Sequence, residues 1–197
     1  MKRKFLRVVL FAALFASIII NMPFKDKNNT KIFTLPGLPR PIAKTPIAII
    51  SAGQSTDSYI IHDISNQLML RSFFMPQARD TDLKEVNTIV FVIGYSSLGM
   101  KLQNISYEEE IERIDKLLEK AKNDDLKVLT IVMGGEQLDN RTEQMIRLIG
   151  PGTDYFIGLR KSSKESILIE LTKDEDIPLT LVDKVNDIIE PFASAFR

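Results

Sequence analysis

Three short stretches of this chain are apolar at almost every position, and that pattern limits the possible folds more than any other feature. They are Ile47-Ala48-Ile49-Ile50, Thr88 to Ile93 (TIVFVI) and Val128 to Met133 (VLTIVM). A strand with one wet face alternates apolar and polar residues. A strand without alternation is covered on both faces, as in a parallel sheet sandwiched between helices. Phe73-Phe74-Met75, Tyr155-Phe156-Ile157 and Leu179 to Val182 read as further strands with weaker signals.

Amphipathic helices fall between these runs. One is expected over about 57–68, with Tyr59, Ile60, Ile64 and Leu68 inward. The clearest follows Ser106, which forms a capping box with Glu109. Ile111, Ile114, Leu117, Leu118 and Ala121 share one of its faces. Glu108 to Glu110 open it and Lys116, Lys120 and Lys122 follow toward its end, in accord with the helix dipole. Asn140 with Glu143, and Ser162 with Glu165, cap two more. A last helix starts near Asp183, places Val185, Ile188, Ile189, Phe192 and Phe196 on one side, and is bent by Pro191. Strands joined by helices give right-handed crossovers. The fold class is therefore α/β: a three-layer, doubly wound, mainly parallel sheet of five or six strands, flavodoxin-like or Rossmann-like.

The N-terminus is different in kind. Lys2, Arg3, Lys4 and Arg7 precede an apolar run over residues 8–24. This is the pattern of a signal peptide or a signal anchor. At about 1.5 Å per residue the run spans roughly 25 Å, short for a bilayer unless Arg7 and Lys25 snorkel. Leu14-Phe15-Ala16-Ser17 is a poor cleavage site because Phe15 is bulky. The expectation is a single-pass anchor in the cell membrane with the domain outside the cytoplasm; the alternative is a secreted or periplasmic chain after signal cleavage. Residues 25–46, with prolines at 36, 39, 41 and 46, read as an extended linker. Residues 47–197 form a single domain.

Composition excludes several classes. Lys plus Arg and Asp plus Glu are 26 each, so no net charge draws the chain to nucleic acid. There is no cysteine, hence no disulfide, thiolate metal site or cysteine nucleophile. With one histidine, a zinc site is not expected, and no cofactor fingerprint is present. Gly94 to Lys101 (GYSSLGMK) fails as a phosphate-binding P-loop because Met100 separates Gly99 from Lys101. His62 precedes Ser96 and Ser97, the reverse of a hydrolase triad order.

Doubly wound sheets bind ligands at the carboxyl ends of their strands, at the switch point between the first and third. That edge carries Ser51, Gly53, Gln54 and Ser55, then Gly94, Ser96, Ser97 and Gly99, then Gly134, Gly135 and Glu136. Glycines admit close backbone approach, and hydroxyls and helix N-termini favour a polar or anionic group. The competing explanation is that small residues simply make tight turns.

TPIAIISAGQSTD (45–57), TIVFVIGYSSLG (88–99), IVMGGE (131–136) and IPLTLVDKVNDIIEPFASAF (177–196) together resemble a bacterial family known only as domain of unknown function 6305. The resemblance implies an exported protein and no established activity, substrate or cofactor. It also implies Lys where this chain has Leu98.

Three functions are compatible with these residues. The first is a tethered binding or accessory module for a small polar or anionic ligand. The second is a hydrolase or transferase using Glu136 as base or Ser96 as nucleophile. The third is a scaffold for a membrane-protein partner, presenting an apolar surface around Phe192 and Phe196.

Overall fold

The computed structural model describes residues 37–133, 140–160 and 164–197, and the backbone of residues 32–33. In chain order the elements are β1 (Ile32–Phe33), β2 (Ile47–Ala52), α1 (Asp57–Gln67), β3 (Ser72–Phe74), β4 (Thr88–Ile93), α2 (Ser97–Leu102), α3 (Tyr107–Asn123), β5 (Lys127–Val132), α4 (Asn140–Ile149), β6 (Tyr155–Leu159), α5 (Glu165–Glu175), β7 (Leu179–Val182) and α6 (Ile189–Ser194). Short 3-10 turns occupy Asp80–Asp82, Gly150–Gly152 and Val185–Ile188. The predicted membrane segment, residues 8–24, lies outside the described residues. Among the described residues no helix is long and apolar enough to cross a membrane.

All strands pair in parallel, in the order β1-β7-β6-β5-β4-β2-β3. Without β1 this is the flavodoxin-like order, with the switch point between β2 and β4. Every residue of β2 and β4 is buried, as their unbroken apolar sequences require. One face of the sheet packs against α3, α4 and α5 through Ile114, Leu117, Met145, Ile146 and Leu168. The other packs against α1 through Ile61 and Ile64, and against α6 and the 3-10 turn before it through Phe192 and Ile188.

Several local expectations need correction. In α1 the buried residues are Ser58, Ile61, Ile64 and Ser65, while Tyr59 and Ile60 are exposed. The helix is rotated by about one residue, because the small serines let its backbone sit close to the sheet. Leu68 is half-buried. The third strand begins at Ser72 and stops at Phe74, although the Met75 N–H still bonds the Ile49 carbonyl at 2.9 Å. Pro191 does not bend a long helix. It sits in the first turn of α6, where no intrahelical N–H is needed, and the preceding residues form the 3-10 turn. Phe192 is fully buried and Phe196 half-buried against it, their rings edge-on at 5.4 Å.

The stretch read as a linker is also partly structural. Ile32–Phe33 adds an edge strand beside β7. Leu38 and Ala43 are buried. The Ile42 and Ala43 N–H groups both bond the Ala195 carbonyl, at 3.0 and 2.9 Å. Prolines keep this segment extended, and an extended segment can lie against α6 and satisfy its backbone there.

Left-handed backbone ends several helices. Asn104, Asp125 and Asp176 take it with φ of 53–55°, and Asn and Asp tolerate that conformation well. Met69 takes it too, at φ 54°. The α1 terminus is a Schellman motif, in which the Met69 N–H bonds Asn66 O and the Leu70 N–H bonds Ser65 O, both at 3.0 Å. The motif favours glycine at this position, and a bulky residue costs roughly 1–2 kcal/mol.

Within the core, the Tyr155 hydroxyl donates to Thr180 Oγ1 at 2.6 Å. Burial pushes its pKa up to about 12, with hydrogen bonds to Thr180 and Ser194 acting in the opposite direction. An unfolded tyrosine titrates near 10. The folded state thus holds the proton more tightly. Its contribution is intact below pH 10 and is lost as pH rises toward 12, by about 2–3 kcal/mol. Denaturant titrations should show this loss in the native chain. Tyr155→Phe should cost about 1 kcal/mol at neutral pH, yet lose less stability than the native chain across that alkaline window.

Candidate functional site at the strand ends

The site is built where β2 and β4 end side by side. Beyond Ala52, Gly53 and Gln54 both adopt left-handed backbone, with φ of 98° and 60°. This reverses the chain over the end of β4. A Cβ at Gly53 would sit 2.6 Å from the Gly94 carbonyl oxygen, so only glycine fits. The two loops are then joined by backbone. Gly94 N–H bonds Ala52 O at 2.9 Å, Ser55 N–H bonds Gly94 O at 3.2 Å, and Ser96 N–H bonds Gly53 O at 2.8 Å. Gly99, at the start of α2, backs directly onto the Gln54 carbonyl.

Ser51, Gly53, Gln54, Ser55, Gly94, Ser96 and Gly99 are therefore neighbours, as the switch-point argument requires. Ser97 is exposed on α2. Gly134, Gly135 and Glu136 lie outside the described residues, as do Ser162 and Ser163. The polar groups that are described are largely occupied by the protein itself. Ser51 Oγ donates to Ser55 O at 3.3 Å. Ser96 Oγ accepts the Gly99 N–H at 3.0 Å and caps α2. Ser55 Oγ accepts the Asp57 N–H at 3.4 Å. Burial of the Asp57 carboxyl raises its pKa, against a smaller lowering by the Ser55 hydroxyl.

The strongest feature is one that sequence reading missed. Glu110 on α3 is completely buried, and its carboxylate lies where an anionic ligand was expected. It accepts the Gly53 N–H at 2.8 Å and the Gln54 amide at 3.1 and 3.2 Å. Arg113, one turn on, closes the arrangement with Nε to Glu110 Oε2 at 2.8 Å and Nη2 to Oε1 at 2.7 Å. The same guanidinium reaches Ser51 O at 2.7 Å and Ala78 O at 2.9 Å. The sequence did carry a signal. Glu110, Ile114, Leu117 and Ala121 are the buried stripe of α3, so helical spacing alone puts Glu110 inside. Its membership in an acidic run at a helix start masked this.

Four of the five guanidinium N–H groups of Arg113 are satisfied among the described residues. Arg113 also lines an open crevice of about 460 Å³ between α3 and the turn at Asp80–Asp82. Arg79, Asp80, Glu109, Glu112 and Lys116 complete its charged wall. Lys116 pairs with Glu112 at 2.6 Å. Glu109 has its pKa lowered by the Ser106 backbone N–H that it accepts. Across the loop, Arg141 stacks on Tyr95 and Tyr107, its guanidinium carbon 4.7 and 5.4 Å from the ring centres. Thr142 Oγ1 accepts the Tyr95 N–H at 3.1 Å.

His62 sits on α1, on the other face of the sheet from α3, and stacks on Phe74 at 4.9 Å. Among the described residues there is no cluster of His, Asp and Glu suited to a metal.

A family model described as Domain of unknown function (DUF6305) matches residues 44–196. No curated protein and no solved structure shows significant similarity to the chain.

Breaking a buried ion pair strands the remaining charge. Glu110→Ala and Arg113→Ala should each lower unfolding stability by about 3–5 kcal/mol in urea titrations. The double variant should lose clearly less than the sum of the two. Additive losses would mean that the pair is not coupled.

Proposed function

We propose that this chain, which belongs to the DUF6305 family of unknown function, is a membrane-tethered, extracytoplasmic binding or accessory domain for a small polar ligand. Residues 8–24 would form the tether. The ligand would sit in the crevice beside the switch point, with one anionic group directed at Arg113.

The observation that carries this reading is the state of Arg113. Its side chain is only 13% exposed and is held by four hydrogen bonds, yet one N–H has no partner among the described residues and the residue forms part of an open, charged crevice. A pre-oriented guanidinium loses little entropy when it takes a carboxylate or phosphate oxygen. Arg79 and Lys116 stand at the same wall and add positive charge. Carboxylates at Asp80, Glu109 and Glu112 would meet a cationic or hydroxyl group on the other end of the ligand. The chemistry fits a zwitterion or a polar monoanion better than a multiply charged anion.

A hydrolytic reading is less well supported. The Ser96 hydroxyl is held as a helix cap, and Glu110 already accepts hydrogen bonds at both oxygens. Neither is poised as nucleophile or base; Glu136, the base expected from the sequence, lies outside the described residues.

Thermal-shift and calorimetric screens of amino acids and monocarboxylic hydroxy acids should find a compound that raises Tm. Arg79→Ala and Lys116→Ala, both at exposed positions, should weaken its binding about tenfold each while leaving the ligand-free Tm within about 1–2 °C. If no compound in these classes shifts Tm, or both variants bind as the native chain does, the crevice is not the site.

A further inference from the structure

We infer that the N-terminal edge of the sheet, at the corner around Met69, rests on the lipid surface, so that the carboxyl ends of the strands face away from the membrane. This rests on the reading of residues 8–24 as a tether.

Strand polarity gives the first argument. β1 runs parallel to the rest of the sheet, so the chain enters β1 at the edge where every strand begins. Only residues 25–31 separate the apolar run from Ile32. Fully extended, these seven residues reach at most roughly 25 Å. A six-residue strand such as β2 is itself about 20 Å long, before its loops are added. Presenting the opposite edge to the bilayer would use nearly the whole tether in running past the sheet.

Met69 gives the second, independent argument. It occupies a left-handed position at a helix end that favours glycine, asparagine or aspartate; Asn104, Asp125 and Asp176 stand at the ends of other described helices, and Gln54, the remaining left-handed non-glycine residue described, lies in the loop after β2. Met69 is also 89% exposed, more than any other large apolar residue described. Neither backbone conformation nor burial in the domain accounts for a methionine there. Contact with an apolar phase does.

Its surroundings fit a headgroup layer. Lys44 and Arg71 line the same shallow depression, together with Thr45, Leu70 and Phe196. Arg71 makes a long ion pair with the exposed Glu85, at 4.0 Å, and lies over the Phe73 ring at 6.0 Å. Long cationic side chains beside an apolar tip suit anionic headgroups above the acyl boundary. Further along this edge the lysines are engaged, Lys120 with Asp124 at 2.6 Å and Lys127 with Asp154 at 2.8 Å. Lys44 and Arg71 therefore mark the β2–β3 corner for contact with anionic lipid, with the tether holding the far side at β1.

The chain has no cysteine, so single-cysteine labelling is clean. Full-length Met69→Cys and Leu98→Cys would carry an environment-sensitive fluorophore in vesicles of phosphatidylcholine with about one third phosphatidylglycerol. Leu98 is the control, 66% exposed on the helix that follows β4, at the other edge. The expected result is a blue-shifted probe at 69, quenched about twofold or more by acyl-chain nitroxides, as for a group roughly 5–10 Å deep. The probe at 98 should remain unquenched, and high salt should weaken the quenching at 69. Met69→Gly should raise Tm by about 2–4 °C and also abolish quenching of a probe at Thr45→Cys; a merely exposed methionine would give only the first effect.

If the chain resists carbonate extraction but the probe at 69 is unquenched, or 98 is quenched equally, this inference fails and the tether stands. A probe at 69 shielded only in native membranes would also overturn it, in favour of a protein partner. A chain washed off the vesicles by carbonate defeats both readings.

Discussion

The contact between Glu110 and the backbone of Gly53 organises this end of the molecule. A parallel sheet gathers all its strand ends at one edge, where the backbone N–H groups after each strand lack partners in the sheet. At the switch point the helices diverge to opposite faces, and those groups would face an open cleft. Here a carboxylate from α3 fills the cleft and Arg113 neutralises it. The guanidinium then extends to Ser51 and Ala78, so one ion pair ties β2, its loop, the segment after β3 and α3 together. Such a pair adds little net stability compared with an apolar filling, but it fixes a single geometry because every donor and acceptor must be matched.

This explains why architecture could be read from the sequence and the site only in part. The unbroken apolar runs of β2, β4 and β5 specify a sheet covered on both faces, and the Ser106–Glu109 box sets the start of α3 to the residue. These are local rules acting on neighbouring residues. The position of Glu110 is a long-range fact: its partners Gly53 and Gln54 lie more than fifty positions earlier. Helical spacing already puts it on the buried stripe, but a charge at a helix start has a sufficient local explanation, which hides the long-range one. Ser58 and Ser65 misled in the opposite sense. Polar by type and small by volume, they pack against the sheet, while Tyr59 and Ile60 point outward. Ser65 Oγ is left without a hydrogen-bond partner among the described residues, a cost accepted for close helix–sheet approach. Proline spacing in residues 36–46 correctly signalled extended chain. It carried no information about whether that chain would stand free or lie along α6.

Occupation of the switch point also decides where an external ligand can go. An incoming anion at Gly53 would have to displace Glu110 and leave two buried charges unmatched, which no single ligand contact would offset. Under the proposed binding role, a ligand would therefore meet the far side of the Arg113 guanidinium. There the wall holds three cations against four carboxylates, and Glu110 and Lys116 are already paired. A slightly negative wall around one fixed donor repels a phosphate dianion and tolerates a molecule with its own positive or hydroxyl end. Under the same proposal, the ion pair that fixes the interior geometry would also shape the specificity of the exterior, because the same arginine would serve both.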